Sequence, residues 1–459
     1  MKASKANIDF THGNIIRSLV LFALPILLGE LLQNLYNSVD SIVVGNFVSK
    51  NALAAVSVCA TLSRLIVGFF TGMAVGGSVV TARAFGGGDK DQLSKTIRTT
   101  FTFSVVLGAA LSVLGVLVAP LLLKLSSVPE DVYPDALVYL RIYLAGSLFS
   151  VIYNIGSGVL RAVGDTQRPF RILLLSCCAN IVLDLLLVVI IPLGVAGVAA
   201  ATVLAQLVSV VLLHRILLQI EPDFHISFRE LKENLAIILD LTAIGMPAGM
   251  QGAVISVSNL FVWRYINGFG ATVMAGIGVA QRLDRFVGMP CTAFGHAMTT
   301  FVGQNIGAKQ YQRAKQGTWK CVILAVVYIA IMGTVVYNLA DYCVVLFNPD
   351  PQVMEISVAM MHFIIPYYIF FAIREVYLGV LRGYGSGTVP MVLNIIGMVL
   401  VRQIYLAVSM RQSPDIIHIF RCYPIAWAAT ALLLIGYYFY YIKVRLVGKT
   451  DQRSVTLTE

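Results

Sequence analysis

Apolar runs long enough to cross a lipid bilayer recur twelve times along this chain, separated by polar or Gly- and Pro-rich turns. A membrane-spanning helix needs about 20 predominantly apolar residues, and most of the runs exceed that length. Because 58% of the residues are hydrophobic and only 12% are charged, a water-soluble domain could not keep its apolar surface dry. The sequence therefore predicts an all-α polytopic membrane protein with twelve transmembrane helices. The predicted spans are 15–44, 52–82, 97–122, 134–161, 170–191, 195–219, 235–265, 271–304, 318–347, 354–382, 389–409 and 415–446.

The Lys and Arg residues are shared unevenly between alternate loops. If the N-terminal tail is cytoplasmic, about 22 of them fall on that side of the membrane and 6 on the other. Loops rich in Lys and Arg stay in the cytoplasm, so the sequence predicts a plasma (inner) membrane protein with both termini inside. The same bias accounts for the net charge of +10 without a nucleic-acid partner. The residues before the first span lack the pattern of a cleaved signal peptide and are predicted to be a short tail.

The sequence motifs typical of enzymes and cofactor sites are missing. The seven cysteines form no CxxC pair, and the six histidines form no HExxH or HxxxH spacing. Neither a GxSxG nor a GxxxxGK[ST] motif occurs. We therefore expect no enzymatic activity, no disulfide framework and no cofactor.

The second half of the chain repeats the first at one constant offset. GVLRAVGDTQRP (158–169) returns as GVLRGYGSGTVP (379–390), and ALAAVSV (52–58) returns as VMAGIGV (273–279), equally far along the chain. Six helices, an even number, separate equivalent points, which predicts a parallel repeat about an axis normal to the membrane, with a cleft between two lobes. The predicted parts are a cytoplasmic N-tail (1–14), an N-lobe (15–219), a cytoplasmic linker (220–234), a C-lobe (235–446) and a cytoplasmic C-tail (447–459).

The first span carries a polar stripe on one helical face. Glu30, Gln33, Asn37 and Asp40 follow one another at spacings of 3, 4 and 3 residues. An acid inside a transmembrane helix costs roughly 2.5–3.5 kcal/mol, so it is rarely kept without a use. Pro25, in the same helix, removes a backbone donor and provides a place to bend. The stripe serves either a gate or ion site, or packing against polar groups of neighbouring helices.

Polar side chains of three helices are predicted to lie at a similar depth. At a rise of about 1.5 Å per residue, Asp40 lies roughly 6 Å from its helix end, and Asp184 and Thr202 about 10 Å from theirs. Asn180 lies one turn from Asp184 on the same face. Two carboxylates in a poorly hydrated pocket cannot both ionise at low cost, and a proton or Na⁺ would relieve their repulsion. The residues therefore form either a cation-coupling site for Na⁺ or H⁺ or a satisfied structural network.

The sequence resembles the multidrug and toxic compound extrusion (MATE) family, in particular its DinF- and MepA-like bacterial members. The resemblance rests on the first helix with Pro25 and Asp40, ALAAVSV, QNIGA (304–308), the paired GVLR turns and the Asn180–Asp184 helix. It covers essentially all twelve helices. It implies a V-shaped pair of six-helix lobes that exports cationic amphipathic drugs in exchange for Na⁺ or H⁺ by alternating access.

The resemblance also implies roles for individual residues. The coupling ion would bind at Asp40, Asn180, Asp184 and Thr202, the substrate cavity would include Gln33, Tyr36, Asn37 and Asn154, and Pro25 would be the conformational hinge. Nothing in this pattern requires a protein partner, so a monomer in the lipid bilayer is expected.

Glu375 is a further candidate in the second half, because it follows Asn154 at the same offset that separates the two GVLR turns. It is predicted either to contact a cation or substrate, or to form a local ion pair with Arg374, Arg402 or Arg285.

Two other functions remain open at this point. A flippase of the same superfamily, for a lipid or lipid-linked saccharide, would need a strongly cationic cleft, whereas the first lobe offers acids. A membrane receptor or channel is disfavoured by the two-lobe repeat and by the lack of a soluble signalling domain.

Overall fold

The computed structural model describes residues 8–126, 128–221 and 224–447, and every regular element within these ranges is a helix. In the first half the helices are α1 Ile15–Phe47, α2 Lys50–Gly87, α3 Lys90–Leu125, α4 Tyr133–Ala145 with Ser147–Ala162, α5 Gln167–Asp184 followed by a π-helical segment Leu185–Ile190, and α6 Gly194–Ile220. A short helix, Phe228–Glu233, precedes the second half.

The second half begins with three helices, α7 Leu235–Asn267, α8 Ala271–Gly307 and α9 Tyr311–Asn338, the last followed by a short helix Ala340–Val345. The remaining three are interrupted or extended by other helical geometries. These are α10 Pro351–Ile364 and Tyr368–Gly383 around a 3₁₀ turn Ile365–Tyr367, α11 Thr388–Ile395 and Arg402–Gln412 around a π-helical segment Ile396–Val401, and α12 Ile416–Tyr441 followed by a π-helical segment Ile442–Val447.

Capping residues determine where the first three helices begin. The side chains of Asn14, Ser49 and Asp89 each accept the backbone N–H of the residue three positions later, at 3.0–3.1 Å. Gly88 ends α2 in the left-handed conformation, with φ +76°, directly before Asp89 starts α3. The GGGD segment therefore turns the chain between α2 and α3 within two residues.

All twelve predicted spans correspond to helices. Ten of the described helices are long and apolar enough to cross a membrane, and the bent pair Tyr133–Ala145 and Ser147–Ala162 raises the number to eleven. The helix α8 is not among them, and it carries Arg282, Asp284 and Arg285 within four positions. These charges lower its hydropathy, although its length of 37 residues suffices for a span.

The chain divides into two compact units. The first comprises the residues up to Ala253 together with Gly303–Tyr311, and the second comprises Val254–Val302 and the residues from Gln312 onward. The lobe boundaries predicted above stay a prediction. A core of the first unit joins the end of α1, the start of α2, α4 and α6, through buried residues that include Val44, Cys59, Leu140 and Val198.

Within the first unit, α2 and the first part of α7 approach closely at glycines. A Cβ on Gly76 would lie 2.2 Å from the carbonyl oxygen of Leu241, and one on Gly72 would lie 2.1 Å from the backbone nitrogen of Gly249. Gly72 and Gly76 are four residues apart, as are Gly245 and Gly249, which is the spacing of small residues that lets membrane helices pack backbone to backbone.

Gln304, near the end of α8, joins this helix to the start of the described chain and to the end of α4. Gln304 Oε1 accepts the backbone N–H of Phe10 at 2.9 Å, and Gln304 Nε2 donates to the carbonyl oxygen of Ala162 at 2.8 Å. The QNIGA segment thus holds the start of the described chain against the GVLR turn at the end of α4.

Candidate functional site

The two acids of the first half meet in the first unit. In the amide orientation that satisfies both neighbours, Asn180 Nδ2 lies 3.0 Å from Asp40 Oδ1 and 3.1 Å from Asp184 Oδ2. The two carboxyl groups also lie within hydrogen-bonding distance of each other. Asp40 is 8% exposed, Asn180 1% and Asp184 0%. The structure therefore brings an acid of α1 and an acid of α5 into one buried cluster, bridged by an amide.

Tyr36 and Thr202 complete this cluster. The Tyr36 hydroxyl lies within hydrogen-bonding distance of Asp40, one turn away on α1, and of Thr202 on α6. Thr202 Oγ1 also donates to the carbonyl oxygen of Val198 at 3.1 Å. This cluster contains all four residues that were predicted for the ion site, namely Asp40, Asn180, Asp184 and Thr202. Tyr36, which the resemblance to the MATE family assigns to the substrate cavity, contacts this cluster through its hydroxyl.

The local fold of α5 positions Asp184. This residue ends the regular α-helix, and the π-helical segment Leu185–Ile190 begins directly after it. A π-helical turn is rare and occurs often at functional sites. Asp184 Oδ1 is buried and, among the described residues, has no hydrogen-bond partner. A buried carboxyl oxygen without a partner is costly, and a proton or a cation can satisfy it.

Two tyrosines lie next to the cluster and were not predicted from the sequence. Tyr139 and Tyr143 of α4 are 6% and 9% exposed, and their rings stack with centroids 6.2 Å apart. Tyr36 and Asp40 both interact electrostatically with Tyr139. Tyr139 and Tyr143 are four residues apart and therefore lie on one face of α4. Sequence alone does not single them out, because buried tyrosines in an apolar helix are usually part of the core. The two rings form an apolar wall beside the acids.

The other predicted residues of the first half lie outside the cluster. Glu30 lies near Arg161 and interacts with it electrostatically, and Gln33 is exposed. The Asn154 amide donates to the carbonyl oxygen of Ser150 at 2.8 Å, within its own helix. The side chain of Asn37 lies outside the described residues. Pro25 lies inside α1, which continues without a break from Ile15 to Phe47.

Glu375 forms an ion pair in the second unit. Its carboxylate accepts a hydrogen bond from Arg374 Nη2, and the two side chains are 12% and 8% exposed. Arg374 also lies over the ring of Phe371, 5.0 Å from its centroid. The ion pair with Arg374 is one of the two alternatives that the sequence leaves open, and the role of Glu375 as a substrate contact stays a prediction.

The cluster combines two carboxyl groups, an amide and two hydroxyl groups. Among the described residues, no group of three or more His, Cys, Asp or Glu side chains lies together. A pair of carboxyls at hydrogen-bonding distance holds a proton between them at least cost. To offer its carbonyl oxygen to Na⁺, the Asn180 amide must turn by half a rotation, because its nitrogen faces both acids.

Comparison with known proteins finds the same repeat. A family model described as MatE matches residues 25–186 and again residues 247–408. The offset between the two matches agrees within one residue with the offset of the paired sequence motifs, which confirms the internal repeat. Each match covers the first five helices of its half.

Curated relatives align along most of the chain. The probable multidrug resistance protein YpnP of Bacillus subtilis is 30% identical over 396 residues, which cover 86% of this chain and 88% of YpnP. The FAD transporter of Shewanella oneidensis is 26% identical over 347 residues, 74% of this chain and 76% of that protein.

A solved structure has the same fold. A crystal structure of MATE in the bent conformation superposes with a TM-score of 0.88, covering 98% of this chain and 100% of that chain, at 21% sequence identity. The similarity of fold extends over both halves of the chain.

Proposed function

This chain belongs to the MATE family of multidrug efflux transporters, and we propose that it exports cationic amphipathic compounds in exchange for Na⁺ or H⁺. The observation that carries the proposal is the buried contact between Asp40 and Asp184. Two carboxyls at this distance repel each other when both are charged, so the pair takes up one monovalent cation readily. Asn180, Thr202 and Tyr36 supply the surrounding polar groups. An ion in this cluster joins α1 to α5 and α6.

The coupling follows from the position of the acids on a helix that contains Pro25. When a proton or cation is bound between Asp40 and Asp184, it holds α1 against α5. When both carboxyls are charged and no ion is bound, their repulsion favours separation of α1 from α5. Pro25 lacks the N–H that would continue the backbone ladder, so bending of α1 is easiest there. Ion binding and release would thus be linked to a movement of α1 that changes the access of cargo. Alternating access needs a linkage of this kind.

The proposed setting is the plasma (inner) membrane, with both termini in the cytoplasm and the transporter acting as a monomer. The excess of Lys and Arg on one set of loops supports this orientation. With it, the acid pair lies in the outer half of the membrane, where an inward ion gradient can load it.

Dye transport into inverted membrane vesicles tests the exchange. We expect uptake of labelled ethidium to depend on a Na⁺ or a proton gradient, measured by varying Na⁺ at fixed pH and then pH at fixed Na⁺. Asp40→Asn and Asp184→Asn should each lower gradient-driven uptake at least tenfold. Asp341→Asn, an exposed acid of the second half, is the matched control and should transport normally.

Two results would contradict the proposal. One is full gradient-driven uptake by the variant that carries both Asp40→Asn and Asp184→Asn. The other concerns the cargo. One relative is an FAD transporter, so FAD is the appropriate anionic comparison, and transport of FAD without transport of cationic dyes would refute the cationic class.

A further inference from the structure

The second unit contains a cavity at the ends of α7 and α11. Its volume is ≈ 540 Å³, which is within the range of small-molecule sites. Its wall includes Phe261, Arg264, Tyr265, Phe269, Gln403 and Arg411. The aromatic rings give it an apolar body, and two guanidinium groups give it a positive rim.

The charged residues that line this cavity are both arginines. Arg264 and Arg411 line it, and no Asp or Glu is among its lining residues. Neither arginine forms an ion pair with any of the described residues. Each lies in the last turn of its helix, where a cation also complements the helix dipole. The helix dipole does not explain why Arg264 and Arg411 line the same cavity, next to its aromatic side chains.

A third cation, Arg402, shares a hydrogen-bond acceptor with Gln403, which lines the cavity. Gln403 Nε2 donates to the Ser258 carbonyl oxygen at 2.9 Å and to its Oγ at 3.0 Å, and Arg402 Nη2 donates to the same Oγ at 2.7 Å. Arg402 is 1% exposed, and its Nε has no hydrogen-bond partner among the described residues. A buried cation without a counter-charge is costly, and an anion in the neighbouring cavity reduces that cost.

We propose that this cavity binds an amphipathic molecule with an anionic phosphate group, at a site separate from the acid cluster of the first unit. The phosphate lies between Arg264 and Arg411, which donate charge-assisted hydrogen bonds to it. The apolar part packs against Phe261, Tyr265 and Phe269. Such a phosphate is available from a membrane lipid headgroup or from a soluble aromatic phosphate.

Binding to the purified full-length protein in a neutral detergent tests the site. The probes are dioctanoyl phosphatidylglycerol, 1-naphthyl phosphate and, as the zwitterionic comparison, dioctanoyl phosphatidylcholine, followed by titration calorimetry. At least one anionic probe should bind at least tenfold more tightly than phosphatidylcholine. Its affinity should fall about 10- to 100-fold in the variant with Arg264→Gln and Arg411→Gln, and recover when both are Lys.

Arg421→Gln is the matched control, because Arg421 is an exposed arginine that does not line the cavity. It should change the affinity less than twofold. If the double variant does not purify, Arg411→Glu alone provides the test, since it reverses one charge at an exposed position.

The outcomes separate the two phosphate sources. Binding of phosphatidylglycerol alone assigns a lipid, binding of 1-naphthyl phosphate alone assigns a soluble ligand, and binding of both assigns the phosphate group itself. The proposal is wrong if neither anionic probe binds, if phosphatidylcholine binds equally well, or if the arginine variants match Arg421→Gln. Because the readout is binding and not transport, this result is independent of the proposed exchange.

Discussion

Two buried asparagines of this protein differ in the hydrogen bonds that they make. Asn180 bridges the carboxyls of Asp40 and Asp184. Asn394 on α11 is 0% exposed, yet neither its Oδ1 nor its Nδ2 has a hydrogen-bond partner among the described residues. An unsatisfied buried amide costs stability, whereas an amide that bonds charged groups contributes to it.

We therefore expect opposite effects from the same substitution at these two positions. Asn180→Leu should lower the stability by about 1–3 kcal/mol, because two hydrogen bonds to carboxyl groups are lost. Asn394→Leu, similar in volume, should leave the stability unchanged or raise it. The measurement is the midpoint of thermal unfolding in detergent, followed by tryptophan fluorescence. Equal losses in the two variants would contradict the expectation.

The sequence predicted the polar members of the cluster because helical periodicity and depth are both readable from spacing. These two rules placed Asp40, Asn180, Asp184 and Thr202 at a similar depth, and the resemblance to the MATE family implied their role. Rotation about each helix axis is not encoded in spacing, so their contact could not be derived. Tyr139 was missed because a buried tyrosine has the same sequence signature whether it faces a core or a polar cluster.

At the level of helices, the contact between α2 and α7 offers a direct test of packing. A Cβ on Gly76 would lie 2.2 Å from the Leu241 carbonyl oxygen, and backbone cannot move aside as a side chain can. Gly68, two turns earlier on α2, is the matched control, because a Cβ added there would have no atom within 4 Å.

We expect Gly76→Val to separate α2 from α7 and to lower both the yield of monodisperse protein and its unfolding temperature. Gly68→Ala should be neutral or stabilising by up to about 1 kcal/mol, because alanine is the better helix former. Size-exclusion profiles and thermal unfolding in detergent provide the measurements. Normal folding of Gly76→Val would show that this close approach is not needed.

Hydropathy predicted the existence of every long helix but not its internal geometry. The bend of 45° in α4 occurs at Gly146, where a Cβ would lie 2.3 Å from Val203 of α6. The π-helical segment after Asp184 likewise has no signature in an apolar run such as LLLVVI. Neither feature can be read from the hydrophobicity of a sequence window.

Across the whole molecule, the repeat is symmetric in fold and asymmetric in charge. At the offset between the two MatE matches, Asp40 corresponds to Val262 and Asp184 to Leu406. Val262 is 2% exposed and Leu406 0%, so apolar side chains occupy the equivalent buried positions in the second unit. The second unit carries buried arginines instead, among them Arg374 and Arg402. This asymmetry predicts one carboxylate site per chain for the coupling ion.

A single site of this kind should be visible in the stability of the folded protein. A ligand that binds only the native state stabilises it by RT ln(1 + [L]/Kd), or about 2.7 kcal/mol at a concentration 100 times Kd. The unfolding temperature of the wild-type protein should therefore rise with Na⁺ at fixed pH, or change with pH at fixed Na⁺, depending on which ion couples. Choline chloride keeps the ionic strength constant, so that screening of surface charges does not contribute. In the variant with Asp40→Asn and Asp184→Asn, the ion-dependent change should disappear. Asp341→Asn should retain it, because Asp341 is an exposed residue outside the acid cluster. A shift of wild-type size in the double variant would place the coupling ion elsewhere in the chain.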